Sequence, residues 1–389
     1  MSNKASLSGS GPTRVLHVVG RMHYAGTETW LLNVLKRISP EQFQFDFLVH
    51  DATPGPLDDE IRQHGGRLIV HPLVRSLKYF TGLAKIMREG RYDIVHTHMA
   101  NFSGIVLAAA KEAQVPARIL HLHFNSALAS AGHSFLRRAV HWGSKQLVQL
   151  CATHGLAVSV PAAEGYFGQQ WLDDPRWRVM HCGVDLERLR RSLAAPAPDR
   201  TKKTILHVGR MNPLKNHGLL LDAFAAAQRM SPGHRLLLAG DGPLRSQLES
   251  RARQLGIADS VQFLGAVENI PELLRASDLF VFPSLSEGLG LAAVEAQAIG
   301  IPSLLSERIP DEAVIVPELI HRLRVEDSPA AWGRAIVEIC RASPPIDPLT
   351  AWNRVANSSF NIDTSVRRLT TLYASVSRAA APTPLRKAA

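Results

Sequence analysis

Cysteine is scarce in this chain of 389 residues. Only Cys151, Cys182 and Cys340 are present, far apart and without metal-ligand or redox spacing. That pattern argues against a disulfide framework and against a zinc site, and leaves three buried thiols. Long apolar runs are also missing, and none approaches the roughly 20 residues that a bilayer-spanning helix needs. Residues 1–12 carry no apolar core, so they read as a disordered leader and not as a signal peptide. The protein is therefore expected to stay in the cytoplasm. No G-x-G-x-x-G follows the first strand pattern, since Gly20 to Gly26 do not supply it, which disfavours a dinucleotide dehydrogenase. No carboxylate pair of the D-x-D kind stands in a suitable loop, so neither a metal nor a cofactor is expected.

Hydrophobic residues make up 46% of the chain and charged residues 20%, the composition of a folded soluble protein. The length suffices for two ordinary domains with large cores. A formal charge of +10 and a pI near 9.8 imply acidic partners. Charge alone does not choose between nucleic acid, an anionic membrane surface and a phosphorylated small molecule.

The segment RVLHVVGRM at 14–22 reads as a buried strand running into a loop, and TILHVGRM at 204–211 nearly repeats it. Each is followed by a polar loop and an amphipathic helix pattern, over 27–38 and over 217–230. Further strand patterns fall at 45–50, 67–71, 93–97, 117–123 and 155–159, then at 235–239, 261–264, 279–283 and 302–305. Short strands alternating with longer helices mean βαβ units, parallel sheets and an α/β fold. Ligands of such sheets bind beyond the carboxyl ends of the strands. The expected organisation is a first domain over 13–190, a linker over 191–203 rich in Ala, Pro and charge, and a second domain over 204–348. A helical segment over 349–378 and a disordered tail over 379–389 complete it.

The most informative stretch is SEGLGLAAVEAQAIGIP at 286–302. Glu287 stands before a helix and Glu295 about two turns into it, so the carboxylates address different parts of one elongated ligand. The N–H groups of Gly288, Leu289, Gly290 and Leu291 lie at the helix N-terminus, where an anion is favoured. Gly300 and Pro302 end the helix. Upstream, Arg210 and Lys215 flank a turn between a strand and a helix. A planar fork and a point charge together suit a diphosphate, and a fixed pair of cations neutralises a departing one without a metal.

VGRMNPLKNHGLLLDAF, AGDGPL, VQFLG and PSLSEGLGLAAVEAQAIGIP occur in this order over residues 204–306. Together they resemble the donor half of the family 4 retaining glycosyltransferases, including that family's E-x7-E. RVLHVVGRMHYAGTETWLLNVL, YDIVHTHMA and RILHLHFNS resemble the first half of its exopolysaccharide and capsule subgroup. One departure is Ala25-Gly26, where the family commonly has two glycines.

The resemblance implies a GT-B fold, two facing Rossmann-like domains with a cleft between them, and retention without a covalent nucleophile. It implies that Arg210 and Lys215 hold the donor diphosphate, Glu295 the ribose and Glu287 the sugar hydroxyls. Gly26, Asp241 and the 288–291 amides complete the donor site, and the backbone around 261–267 serves the base. Among the histidines at strand ends (His96, His98, His121 and His123), His123 resembles the active-site histidine. The expected partners are a UDP-, GDP- or ADP-sugar and a glycan or lipid-linked acceptor, not nucleic acid. A non-catalytic nucleotide-sugar or polyanion binder on the same fold is the alternative. The basic and apolar segment 133–145 fits either an anionic membrane surface or a helix packed on the first sheet with a basic outer face.

Overall fold

The structure, a computed structural model, describes residues 11–74, 77–125, 134–194 and 202–379. Residues 1–10 of the expected leader, 195–201 of the expected linker and 380–389 of the expected tail lie outside the described residues.

The first sheet holds β1 (Thr13–Val19), β2 (Phe43–Val49), β3 (Arg67–Val70), β4 (Ile94–Thr97), β5 (Ala117–Leu122), β6 (His154–Ala157) and β7 (Trp177–Val179). All pair in parallel, in the order β3-β2-β1-β4-β5-β6-β7. The second sheet holds β8 (Thr204–Val208), β9 (Arg235–Ala239), β10 (Val261–Gly265), β11 (Leu279–Phe282), β12 (Ser303–Ser306) and β13 (Ile320–Leu323). Its order is β10-β9-β8-β11-β12-β13, again parallel. Strand order reverses between β1 and β4 in one sheet and between β8 and β11 in the other. Those reversals open the crevices in which α/β sheets bind ligands.

The central strands are apolar on both faces, as β11 (LFVF) shows with four buried residues, because helices cover each side. The edge strands β7 and β13 escaped the sequence patterning. They are short, three and four residues, and only partly buried, so they lack the apolar run that marks a central strand. The pattern at 155–159 overran β6 because Ser159 leaves the sheet to cap the helix Val160–Phe167, accepting from Ala162 N at 3.2 Å.

The helix Leu186–Ala194 crosses the boundary expected at 190. The C-terminal segment forms two helices, Pro348–Ala356 and Ile362–Ala379. The second packs on the first sheet. Trp30 Nε1 donates to Ser365 Oγ at 3.0 Å, and Tyr373 OH pairs with His96 Nδ1 at 2.6 Å. His96 and Tyr373 are fully buried, so this bond has no water to replace it. Tyr373→Phe is expected to lower stability by about 1–3 kcal/mol, read as a shift of the urea midpoint, because it strands a ring nitrogen.

Candidate active site

The cations of the second unit follow β8. The lysine stem passes close over Gly209, where a Cβ would lie 3.2 Å from Lys215 Cδ. Asn212 caps the short turn Pro213–Lys215 by accepting from Lys215 N. The AGDGPL loop after β9 buttresses this turn. A Cβ on Gly240 would come within 2.1 Å of the Gly209 carbonyl, and one on Gly242 within 2.5 Å of the Met211 carbonyl. Gly240 also adopts φ 137°, open to glycine. Asp241 supports the turn through its main-chain oxygen, which accepts from Met211 N at 3.0 Å. Its carboxylate accepts from Gly242 N at 2.7 Å and lies 3.9 Å from Arg245 Nη1. Arg210 is exposed on the crevice rim.

Lys215 and Glu287 meet. Lys215 Nζ donates to Glu287 Oε1 at 2.6 Å, with the side chains 19% and 10% exposed. The ammonium also sits 4.7 Å from the Phe282 ring centroid. Two side chains 72 residues apart in sequence therefore form one charged unit, which their spacing did not reveal.

The following helix is Leu291–Ile299, shorter than expected. Glu295 lies about one turn into it, not two. Gly290 and Gly300 bound the helix in left-handed conformations, φ 87° and 80°. The N–H groups of 288–291 donate to none of the described loop hydrogen bonds, so they are available to an anion. Glu295 is partly buried, and burial pushes its carboxyl up to about 7, with the Arg188 guanidinium opposing.

The first unit closes on this loop. A Cβ at position 288 would lie 1.9 Å from the His123 carbonyl oxygen, and Ser159 Oγ donates to the Gly288 carbonyl. Gly26 faces the N-terminus of the opposite helix, with Leu291 Cδ1 3.6 Å from where its Cβ would stand. Tyr24 OH donates to Glu268, and Arg188 donates to the Glu268 carbonyl, joining the two units beside β10.

Sequence reasoning missed Glu28. Its side chain is 12% exposed in the first turn of the helix Gly26–Leu35, 3.9 Å from His23 Nδ1. Burial raises its pKa while His23 and Arg210 pull it down. Arg188 was missed as well, since only the packed units let it act on Glu295.

His123 lies just past β5, with His98 just past β4. Both ring nitrogens of His123 are engaged inside the first unit, Nε2 by His98 Nδ1 at 2.8 Å and Nδ1 by Cys182 Sγ at 3.7 Å. Its main-chain carbonyl, not its ring, abuts Gly288. His17, hidden in the RVLHVV strand, joins the cluster. Burial pushes His17 and His121 down to about 3 and holds His96, His98 and His123 well below the usual imidazole range. The sets His17/His96/His98 and His98/His121/His123 each bring ring nitrogens within 4.8 Å, close enough to hold a metal ion. No carboxylate belongs to either set, and mutual hydrogen bonds occupy several of the nitrogens. The cluster fits neutral, hydrogen-bonded rings better than a desolvated dication.

A cleft with two cations and free amides on one wall, and two carboxylates set apart on the same wall, accommodates an anion flanked by two hydroxylated groups. The sequence comparisons agree. The description "Glycosyltransferase Family 4" matches residues 24–188, and "Glycosyl transferases group 1" matches residues 190–343. The putative glycosyltransferase EpsF of Bacillus subtilis is 33% identical over 347 residues, 86% of this chain and 90% of that protein. A UDP-Gal:alpha-D-GlcNAc-diphosphoundecaprenol alpha-1,3-galactosyltransferase of Escherichia coli is 28% identical, covering 71% and 76%. The crystal structure of Anabaena HepE in complex with UDP-glucose matches with a TM-score of 0.76 at 18% identity, covering 93% of this chain and 99% of that one. At that identity the likeness shows the fold.

Glu295 yields a pH prediction. With Glu295 in its expected role as acceptor for ligand hydroxyl groups, the ligand selects the ionised form, present above about pH 7. Affinity for a nucleoside diphosphate, measured by calorimetry, is expected to fall about tenfold per pH unit below that value. Glu295→Gln removes this dependence. Because the folded pKa is raised, the stability contribution is present at low pH and lost as pH rises through about 7. The ligand-free Glu295→Gln protein should therefore melt higher than wild type above neutral pH.

Proposed function

The chain belongs to the family 4, group 1 glycosyltransferases, and on that premise we propose that it transfers a sugar from a nucleoside-diphosphate sugar to a glycan or lipid-linked acceptor. The proposed pathway is cell-surface polysaccharide synthesis, since a relative in Staphylococcus aureus, 24% identical over 73% of this chain, is named a capsular polysaccharide biosynthesis glycosyltransferase. A UDP-sugar is the favoured donor, since UDP-Gal names one relative's substrate and UDP-glucose occupies the HepE structure. The observation that carries this reading is the Lys215–Glu287 pair at 2.6 Å, at the mouth of free helix amides.

In the proposed reaction Arg210, Lys215 and the 288–291 amides take up the charge that develops on the departing diphosphate. Glu295 holds the ribose hydroxyls and Glu287 those of the sugar. The bond between the anomeric carbon and the phosphate oxygen breaks, and the acceptor oxygen bonds to that carbon on the same face, with the acceptor proton passing to the leaving phosphate. The configuration is retained, and neither a covalent nucleophile nor a metal takes part. Release of nucleotide should be seen with one class among UDP-, GDP- and ADP-sugars and should persist in a chelator. Glu287→Gln is expected to slow it roughly hundredfold while the product anomer stays the same. Inverted product, or a glycosyl adduct trapped on any residue, would refute the mechanism.

Peripheral contact with an anionic membrane completes the proposal. On the helix Phe135–Cys151, Trp142 and Leu150 are 66% and 69% exposed, and Arg138 shares the Trp142 face at i, i+4 spacing. Lys145 is turned inward over the Tyr166 ring at 5.0 Å and plays no part in that surface. The paired change Arg138→Glu with Trp142→Ala should abolish cosedimentation with vesicles containing phosphatidylglycerol. Unchanged binding to those vesicles would end the membrane proposal.

A further inference from the structure

Three imidazoles of the first unit stand in single file. His17 Nδ1 lies 3.1 Å from His98 Nε2, and His98 Nδ1 lies 2.8 Å from His123 Nε2. The other nitrogen of His123 faces Cys182 Sγ at 3.7 Å. His17, His98 and Cys182 are all buried, at 0%, 9% and 2% exposure. Neither His17, His98 nor Cys182 has a part in the proposed transfer.

A neutral imidazole carries one proton on two nitrogens, so it donates from one and accepts at the other. In single file all the bonds must therefore run one way. In one state His17 Nδ1–H donates to His98 Nε2, His98 Nδ1–H donates to His123 Nε2, and His123 Nδ1–H faces the sulfur. In the other the Cys182 S–H faces His123 Nδ1, His123 Nε2–H donates to His98 Nδ1, and His98 Nε2–H donates to His17 Nδ1. Any mixed state sets two N–H groups or two lone pairs against each other where no solvent relieves them. The tautomer of His123 is thus tied to that of His98 and, through it, to that of His17.

We propose that His98, backed by His17 and opposed by Cys182, is a positioning residue for His123. It holds the tautomer and orientation of that ring, and with the ring the main-chain carbonyl that abuts Gly288. Only the consequence for turnover rests on the glycosyl-transfer reading; the proton order of the file stands on hydrogen bonding alone.

The test is side-chain nitrogen NMR on the full chain carrying 15N-histidine. Wild type should give one protonated and one bare nitrogen for His98 and for His123, unchanged between about pH 6 and 8, the range in which a free imidazole titrates. In His98→Phe, and in the smaller change His98→Gln, the His123 resonances should move to a mixture of tautomers. Nucleotide release should then fall in kcat by roughly ten- to hundredfold, with the donor KM held within about twofold. His123 resonances identical in wild type and both variants overturn the proposal, whatever turnover does. Resonances that move in a protein inert toward every sugar nucleotide support the file and refute the transfer reading instead.

Discussion

The cleft depends on one close main-chain approach, Gly288 against the His123 carbonyl. No side chain fits at position 288, because its first carbon would lie 1.9 Å from that oxygen. The carboxyl ends of two separately wound sheets are thereby brought together at the loop that opens the helix Leu291–Ile299. Ser159 secures the same loop from the first unit by donating to the Gly288 carbonyl. The orientation of Glu287 follows from this closure, with Lys215 holding it from the second sheet's own turn.

Charge is distributed unequally across that closure. The five clustered histidines of the first unit are held neutral by burial, so this wall adds hydrogen-bonding groups without adding positive charge. The fixed cations and free amides stand on the second unit. The wall that carries the carboxylates is therefore also the wall that favours an anion. Glu295 extends the same logic. Its burial keeps it near neutrality as an acid, with Arg188 from the joining helix as its countercharge. Packing of the two units thus adjusts how readily Glu295 ionises.

Much of this was legible in the sequence. The strand–loop–helix openings at 14–38 and 204–230, the central strands and the glycine bounds of the Glu295 helix are local features, written in apolar runs, turn residues and caps. The glycines of AGDGPL could be read as a motif, but their reason could not. It lies in the approach of Gly240 to Gly209 across a loop, a contact between segments 31 residues apart in the chain. The edge strands β7 (WRV) and β13 (IHRL) were invisible because charged and polar residues leave neither an apolar run. At Asp241 the motif could be read, but not that its carboxylate turns to Gly242 N while its main-chain oxygen supports the Arg210 turn.

By itself, then, the sequence determined which elements form and which residue types gather at the carboxyl ends of the strands. Periodicity and turn chemistry act over a few residues, and both are present in the string. Only the tertiary structure decided which side chains meet. Lys215 and Glu287 pair, both nitrogens of His123 are already taken, and Glu28 and Arg188 join a site that no motif assigns to them. Those outcomes depend on desolvation and on contacts between distant segments, and neither exists until the two sheets face each other.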